Sequence, residues 1–170
     1  DVICHALESY TAKPFNQRPY PESPNLRPAY QGSNPISDVW SLEALRLASQ
    51  NLVRVCQDPS DDEARARMIL AAAYAGMGFG TAGVHLCHAM SYPISSLIRD
   101  YHHPGYPDDH AIVPHGISVV LTAPAIFRFT ASGCAERHLT AAQNLGAHVD
   151  GASLDDAGKI LSDTILELMR

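Results

Sequence analysis

Six prolines fall between Lys13 and Ile36, and they limit the fold more than any other feature of this sequence. Proline has no backbone N–H and a fixed φ angle, so this stretch cannot form a regular helix. A loop of this length is uncommon inside a compact domain and is often functional. We therefore expect a short helix at about residues 1–12, a long irregular loop, and then the body of the domain.

The rest of the chain has the spacing of apolar residues that is typical of helices. Ser37 or Asp38 could cap the first of them, and Ser60 or Asp61 the next. The glycines between Gly76 and Gly83 should interrupt or thin the helix that contains them. A second polar loop is expected at about residues 101–114. Further helices are predicted at about residues 63–77, 82–100, 112–129, 135–145 and 154–169. The pattern predicts one all-α domain over residues 1–170.

Composition and charge argue against several classes of protein. A net charge of -6 is unfavourable for a nucleic-acid surface, which needs clustered Lys and Arg. No apolar run reaches the length of roughly 18–20 residues that a membrane span needs, so we expect no membrane contact. The four cysteines are widely spaced and form no Cys-x-x-Cys pair. This spacing indicates buried, reduced thiols in a cytosolic or mitochondrial-matrix setting.

Nine histidines suggest a metal, because imidazole is the commonest protein ligand for metals. Asp1 and His5 are four residues apart and would share a helix face, as would His85 and His88, which are three apart. His115 lies between a proline and a glycine at the start of a buried run. One carboxylate with two or three imidazoles suits Fe²⁺ or Zn²⁺ and leaves a position open for substrate.

Ordinary structural roles compete with metal binding for each of these residues. Asp1 and His5 could form a surface pair, and His85 and His88 could be core histidines with satisfied hydrogen bonds. The remaining histidines are expected to be solvated or on the surface: His102, His103, His110, His138 and His148. The glycine-rich stretch does not follow a predicted strand, so it fails the context test for a dinucleotide motif. Close helix packing is the better explanation for these glycines.

Three motifs together resemble the iron-containing (group III) alcohol dehydrogenases. They are the opening Asp-x-x-x-His-x-x-Glu, the segment Gly-Met-Gly-Phe-Gly-Thr-Ala-Gly-Val-His-Leu-Cys-His-Ala-Met that starts at Gly76, and Val-Pro-His-Gly at residues 113–116. They occur in the order that the family has. The resemblance implies a C-terminal helical metal-binding domain of the dehydroquinate synthase-like fold, while an N-terminal α/β domain, absent from these residues, holds NAD.

The resemblance also implies roles for individual residues. The metal ligands fall on Asp1, His5, His88 and His115, whereas His85 is not a ligand position. Phe79 matches a residue that lines the nicotinamide and substrate cleft. Many family members have a second histidine four residues after the first signature histidine, where this sequence has Tyr92. Tyr92 could line the substrate pocket, but its high pKa argues against a histidine-type proton relay.

Two stretches resemble one mitochondrial branch of the family in particular. They are residues 27–38, which begin with Arg27, and residues 86–93. Enzymes of that branch oxidise 4-hydroxybutyrate and reduce 2-oxoglutarate with a bound nicotinamide cofactor. The resemblance therefore implies hydroxyacid and oxoacid substrates. Their carboxylates would need a cation, for which Arg27 is our candidate, followed by Lys13, Arg18 and Arg99. The resemblance also implies a mitochondrial location, a cytoplasmic one being the alternative.

The opening residues already look like the inside of a helix, so we expect a fragment of a two-domain enzyme. Such a fragment should be inactive alone and should bind its N-terminal NAD-binding domain, or associate with itself. Two alternatives stay open. One is another metal-dependent alcohol or polyol dehydrogenase of the same superfamily. The other is a helical module that binds metal or protein without catalysis. An HD-type phosphohydrolase is disfavoured because no His-Asp dipeptide occurs.

Overall fold

A computed structural model describes residues 1–170, and its regular structure is helical. Short 3-10 turns and loops join the helices, and the only β-type contact is an isolated bridge between His102 and Ile112. The helices are α1 (Val2–Thr11), α2 (Pro35–Gln57), α3 (Asp62–Ala82), α4 (Leu86–Leu97), α5 (His115–Val120), α6 (Ala123–Thr130), α7 (Ala135–Asn144) and α8 (Ala157–Leu168). The predicted all-α class is confirmed.

The proline-rich loop contains two 3-10 turns and no α-helix, as its composition predicts. The predicted cap of α2 is wrong, because Asn34 and not Ser37 or Asp38 begins this helix. Its side-chain oxygen accepts hydrogen bonds from the backbone N–H groups of Ile36 and Ser37, at 3.1 and 3.0 Å. Proline at the first helical position fits this start, since its missing N–H would have no helical partner there. Asp61 caps α3 as predicted.

Helix α3 continues through the glycine-rich stretch, where an interruption was predicted. It ends only at Gly83, whose φ of +90° an L side chain rarely adopts. A Cβ atom at Gly78 would overlap Ser41 Oγ of α2, so this glycine permits close helix packing. Ser41 in turn pairs with Ser9 of α1 at 2.5 Å. Packing of three helices therefore outweighs the low helix propensity of glycine, which costs about 1 kcal/mol.

Helix α1 runs through the main core, which fixes the residues at its N-terminal end. Ala6 and Leu7 are fully buried, and the same apolar cluster includes Leu45 of α2, Phe127 of α6 and Leu161 of α8. Full burial of a leucine or phenylalanine side chain stabilises a fold by about 1.5–3 kcal/mol. The first residues of the chain are thus held by a well-packed helix.

Most of the apolar run at residues 112–129 forms the two short helices α5 and α6 and no strand. Residues 115–133 are long enough and apolar enough to cross a membrane. Val119, Ala123 and Phe127 within this segment are fully buried in the core cluster. Core helices pass the same test, and 39% of this segment is buried inside the domain.

Candidate metal centre

Three helix starts converge on one side of the domain. Asp1 caps α1 and His5 lies in its first turn, His88 lies in the first turn of α4, and His115 is the first residue of α5. The ligand-type atoms of Asp1, His5 and His88 all lie within 4.8 Å of one another. We call Asp1, His5, His88 and His115 the histidine cluster. The structure thus brings together the four ligands predicted from the sequence.

The Asp1 carboxylate is the centre of the histidine cluster. Its Oδ1 lies 3.2 Å from His88 Nε2 and 3.6 Å from His115 Nε2, and its Oδ2 lies 3.5 Å from His5 Nδ1. The rings of His5 and His88 stack with centroids 4.4 Å apart. His115 is the outermost member, with 57% of its side chain exposed. One carboxylate and three imidazoles therefore face a common space that is open on the side of His115.

Glu8 lies one turn further along α1 from His5 and is fully buried. Its Oε2 accepts a hydrogen bond from His88 Nδ1. Its Oε1 accepts from the backbone N–H groups of His85 and Cys87, both at 2.8 Å, and of His88 at 3.3 Å. Burial opposes ionisation of this carboxyl, but the bond from His88 and the nearby His85 outweigh burial and lower the pKa of Glu8. A buried carboxylate is thus fully satisfied by four donors.

The hydrogen bonds of His88 test whether this cluster suits a metal. Because Nδ1 donates its N–H to Glu8, Nε2 is the nitrogen of His88 that faces the Asp1 carboxylate, 3.2 Å away. The donor set of one carboxylate and three imidazoles suits Fe²⁺ or Zn²⁺. The residues therefore fit a divalent metal.

His5 is a neutral imidazole at ordinary pH. Burial, followed by repulsion from His88, lowers the pKa of His5 to about 4. Neutral imidazole is the form that binds metal. The Phe79 ring stacks on His5 with centroids 4.2 Å apart and planes 19° apart, so α3 fixes the plane of this ligand. Phe79, predicted to line the cofactor cleft, thus lies beside the cluster.

His85 has both nitrogens engaged and no free lone pair. Its Nδ1 accepts a hydrogen bond from the Leu86 N–H at 2.8 Å. The proton is therefore on Nε2, which donates to Thr11 Oγ1 at 3.1 Å, while the Thr11 hydroxyl donates to the Leu7 carbonyl. Burial also lowers the pKa of His85. This geometry explains why His85, one turn from His88, is unsuited to be a ligand.

The two predicted substrate-binding residues lie in different places. Tyr92 lies one helical turn beyond His88 on α4, and it is 75% exposed. Arg27 lies in the proline-rich loop, where it lines a pocket of about 470 Å³ with Arg18, Tyr20 and Thr81 among other residues. No member of the histidine cluster lines this pocket. The structure thus places Tyr92 near the cluster and Arg27 apart from it.

Opposite faces of α3 border the Arg27 pocket and the histidine cluster. Phe79 faces His5, whereas Thr81, two residues later, lines the Arg27 pocket. Two residues correspond to about 200° of rotation along an α-helix, so these side chains occupy opposite faces. Any role for Arg27 in substrate binding therefore needs the substrate or the loop to span the end of α3.

Three residues were missed or wrongly placed by the predictions from the sequence: Glu8, His138 and Cys56. No role was assigned to Glu8, although a glutamate three residues after a ligand histidine lies on the same helix face and signals a possible partner. His138 was predicted at the surface, which is wrong, because it is fully buried with Thr130 Oγ1 2.9 Å from Nε2. Helix periodicity places His138 with the buried Ala141 and Ala142, which was the available signal. Cys56 is exposed, against the prediction of buried thiols.

Comparison with known proteins agrees with this geometry. Residues 29–170 match the model of the Fe-containing alcohol dehydrogenase family, C-terminal. The chain belongs to the iron-containing alcohol dehydrogenase family. Within this family it is 56% identical over 170 residues to the mitochondrial hydroxyacid-oxoacid transhydrogenase of Rattus norvegicus, covering 99% of this chain and 36% of the rat protein. The human protein of the same name gives the same three values.

Solved structures of the family share the fold of this chain. A crystal structure of 1,3-propanediol oxidoreductase superposes with a TM-score of 0.77 at 26% identity, over 99% of this chain and 36% of that one. An alcohol dehydrogenase from Oenococcus oeni gives 0.75 at 24% identity over the same shares, and shows the fold alone. The iron-containing alcohol dehydrogenase chain described here thus spans about a third of the length of the relatives that it matches.

Proposed function

We propose that residues 1–170 are the metal-binding half of a hydroxyacid-oxoacid transhydrogenase. In this reaction 4-hydroxybutyrate is oxidised to succinate semialdehyde while 2-oxoglutarate is reduced to 2-hydroxyglutarate. The observation that carries the proposal is the convergence of Asp1, His5 and His88 within 4.8 Å, in a chain 56% identical to enzymes of that name. The mitochondrial location in the names of these relatives supports the same location for this protein.

We infer that Asp1, His5, His88 and His115 would hold one divalent ion, Fe²⁺ or Zn²⁺. When bound, such an ion supplies Lewis acidity toward the substrate oxygen, while hydride passes to and from a nicotinamide cofactor. The protein orients the ligands through Glu8 and Phe79 and excludes water on the buried side. The exposed His115 and Tyr92 mark the side from which a substrate could enter. The hydroxyl proton released when 4-hydroxybutyrate is oxidised would leave to solvent through this open side, and the reduction of 2-oxoglutarate would take a proton back from solvent.

The substrate carboxylates would need a cation, and the cluster does not provide one. Only histidines form ion pairs with Asp1 and Glu8. The Arg27 guanidinium takes part in none of the arginine ion pairs of the structure and lines a pocket open to solvent. We therefore propose that Arg27 binds the carboxylate, with the substrate or the loop spanning the end of α3 that separates the Arg27 pocket from the cluster.

Arg27→Ala tests this role by comparing two substrates. In a full-length enzyme, KM for 4-hydroxybutyrate should rise roughly tenfold, because a charged hydrogen bond contributes about 1.5–3 kcal/mol. KM for an uncharged alcohol of similar length should stay constant. Arg65→Ala is a matched control, since Arg65 is an exposed arginine on α3 outside both sites. Equal changes with the two substrates would remove Arg27 from the site.

We propose that the nicotinamide is held by a domain outside residues 1–170. The relatives are about three times as long as the matched segment, and no strand of a nucleotide-binding fold is formed within these residues. Helix α4 presents the exposed side chains of Leu86, Met90 and Leu97 on one face, which suits a partner domain. Self-association through the same face is the competing outcome.

A chimera tests the proposed function as a whole. Residues 1–170 replace the matching segment of the rat transhydrogenase, and the oxidation of 4-hydroxybutyrate is assayed with 2-oxoglutarate as acceptor. We expect turnover by the chimera, none by residues 1–170 alone, and none by a chimera that carries His88→Ala. A folded, metal-loaded chimera without turnover would contradict the proposal and favour a non-enzymatic metal-binding module. Activity only toward polyols would favour another dehydrogenase of the family.

A further inference from the structure

The position of Glu8 gives it a function that its place in the sequence does not reveal. It is the only fully buried carboxylate, and it forms no hydrogen bond with Asp1, His5 or His115. All of its hydrogen bonds are with the start of α4: three backbone N–H groups on Oε1 and the His88 ring on Oε2, with the His85 ring 3.5 Å from Oε1. Glu8 therefore connects the α1 ligands to the α4 ligand.

We propose that Glu8 is a positioning residue that holds His88 in its Nδ1–H tautomer. This inference rests on the proposed metal site. Free neutral imidazole carries its proton on either nitrogen, and only an unprotonated nitrogen can bind a metal. An ionised carboxylate can only accept hydrogen bonds, so it keeps the proton of His88 on Nδ1. The Nε2 lone pair is then directed toward Asp1.

The contacts of Oε1 make this assignment robust. Three N–H donors at the start of α4 converge on Oε1, at 2.8, 2.8 and 3.3 Å. They fix which oxygen faces the backbone, so the other oxygen must face His88. The start of a helix also favours negative charge, which keeps the carboxylate ionised. Glu8 thus orients the ring of His88 and the first turn of α4 together.

Glu8→Gln separates orientation from simple packing, because the two side chains have nearly the same shape. The three N–H donors will retain the amide oxygen, so the amide NH₂ must face His88. An NH₂ group can only donate, which reverses the tautomer and places the proton of His88 on Nε2. The variant should therefore fold and yet lose the lone pair that faces Asp1. Loss of a partner of this kind typically weakens metal binding 10- to 100-fold.

Two measurements test the proposal. The first is ¹⁵N NMR of the histidine rings in the metal-free wild-type chain, which should show His88 with its proton on Nδ1. An Nε2–H ring in the wild type would overturn the proposal without any variant. The second is Zn²⁺ affinity by competition with a chelator, which should fall 10- to 100-fold in Glu8→Gln while the NMR signature of His88 reverses.

Controls keep this test apart from that of the proposed function. Glu43→Gln makes the same chemical change on the exposed face of α2 and should leave Zn²⁺ affinity and the His88 tautomer unchanged. Unchanged Zn²⁺ affinity in a folded Glu8→Gln chain would refute the positioning role. A wild-type chain that binds no Zn²⁺, but has His88 as the Nδ1–H tautomer, would contradict the metal site and leave the positioning role intact.

Discussion

His88 and His138 are both buried imidazoles, with 8% and 0% of the residue exposed, but they differ in what their nitrogens face. His88 has one nitrogen bonded to Glu8 and the other directed toward the Asp1 carboxylate. His138 has Thr130 Oγ1 2.9 Å from Nε2 and the Cys134 carbonyl 3.0 Å from Nδ1. A buried histidine is a candidate ligand when one of its ring nitrogens faces a carboxylate. Burial alone does not distinguish His88 from His138.

Removing His88 is the largest perturbation that this comparison predicts. Apparent zinc-binding free energies of about 10–16 kcal/mol spread over four ligands correspond to about 3 kcal/mol for each. His88→Ala should therefore weaken Zn²⁺ binding at least roughly 100-fold, as measured by chelator competition. His85→Ala is the matched control, because His85 is on the same helix start with both nitrogens engaged. Equal loss in the two variants would mean that the ligand assignment is wrong.

Removing His138 should instead affect stability and leave the metal unaffected. His138→Ala deletes a fully buried ring and its hydrogen bonds, so the free energy of unfolding should fall by about 2 kcal/mol. Urea unfolding measures this loss, and Zn²⁺ affinity of the folded chain should match the wild type. A large drop in Zn²⁺ affinity would show that the two groups of histidines are coupled.

The same variant should change the response to acid. Burial lowers the pKa of His138 below the value of 6.5 that it takes when unfolded. The unfolded chain then binds more protons below pH 6.5, so stability is full above this pH and is lost as the pH falls toward the lowered pKa. His138 should contribute a loss approaching about 1.4 kcal/mol per pH unit. The pH dependence of unfolding should be shallower in His138→Ala, and an identical slope would contradict this assignment.

Changing Phe79 should have the smallest effect on metal binding. Phe79→Leu removes an aromatic stack on His5 but keeps the ring of His5 and its nitrogens in place. Aromatic pairs of this kind contribute about 0.5–1.5 kcal/mol, so Zn²⁺ affinity should fall by less than about tenfold. Phe129→Leu, at a residue 76% exposed, should have no effect. A loss as large as that of His88→Ala would make Phe79 essential to the geometry of the site.

The helices follow largely from local spacing, and the four ligands proposed from motifs lie together in the structure, while their binding of a metal stays a prediction. Asp1 and His5 share one face of α1, and the resemblance to a family identifies His88 and His115 from separate helices. The capping residue of α2 was wrong because Asn34, Ser37 and Asp38 can all accept backbone hydrogen bonds, and only the position of Pro35 decides among them.

The remaining features depend on contacts between distant parts of the chain. Glu8 meets the N–H groups of α4 across 77 to 80 residues of sequence, which no local pattern encodes. His138 is buried by packing of α7 against its neighbours, and its helical spacing to Ala141 and Ala142 is the only local signal of that burial. The location of Arg27 depends on the path of a loop without periodicity. Such features require the tertiary structure.

A substitution at Gly78 would alter the histidine cluster, although Gly78 itself contacts no ligand. A side chain there would meet Ser41 and push α3 away from α2, and the next residue, Phe79, would move with the helix. His5 would then lose the surface against which its ring lies flat. In homologues of this sequence, substitutions should therefore be tolerated more readily at Phe79 than at Gly78. Gly78, whose side chain is a hydrogen atom that touches no ligand, would therefore be conserved more strictly than Phe79.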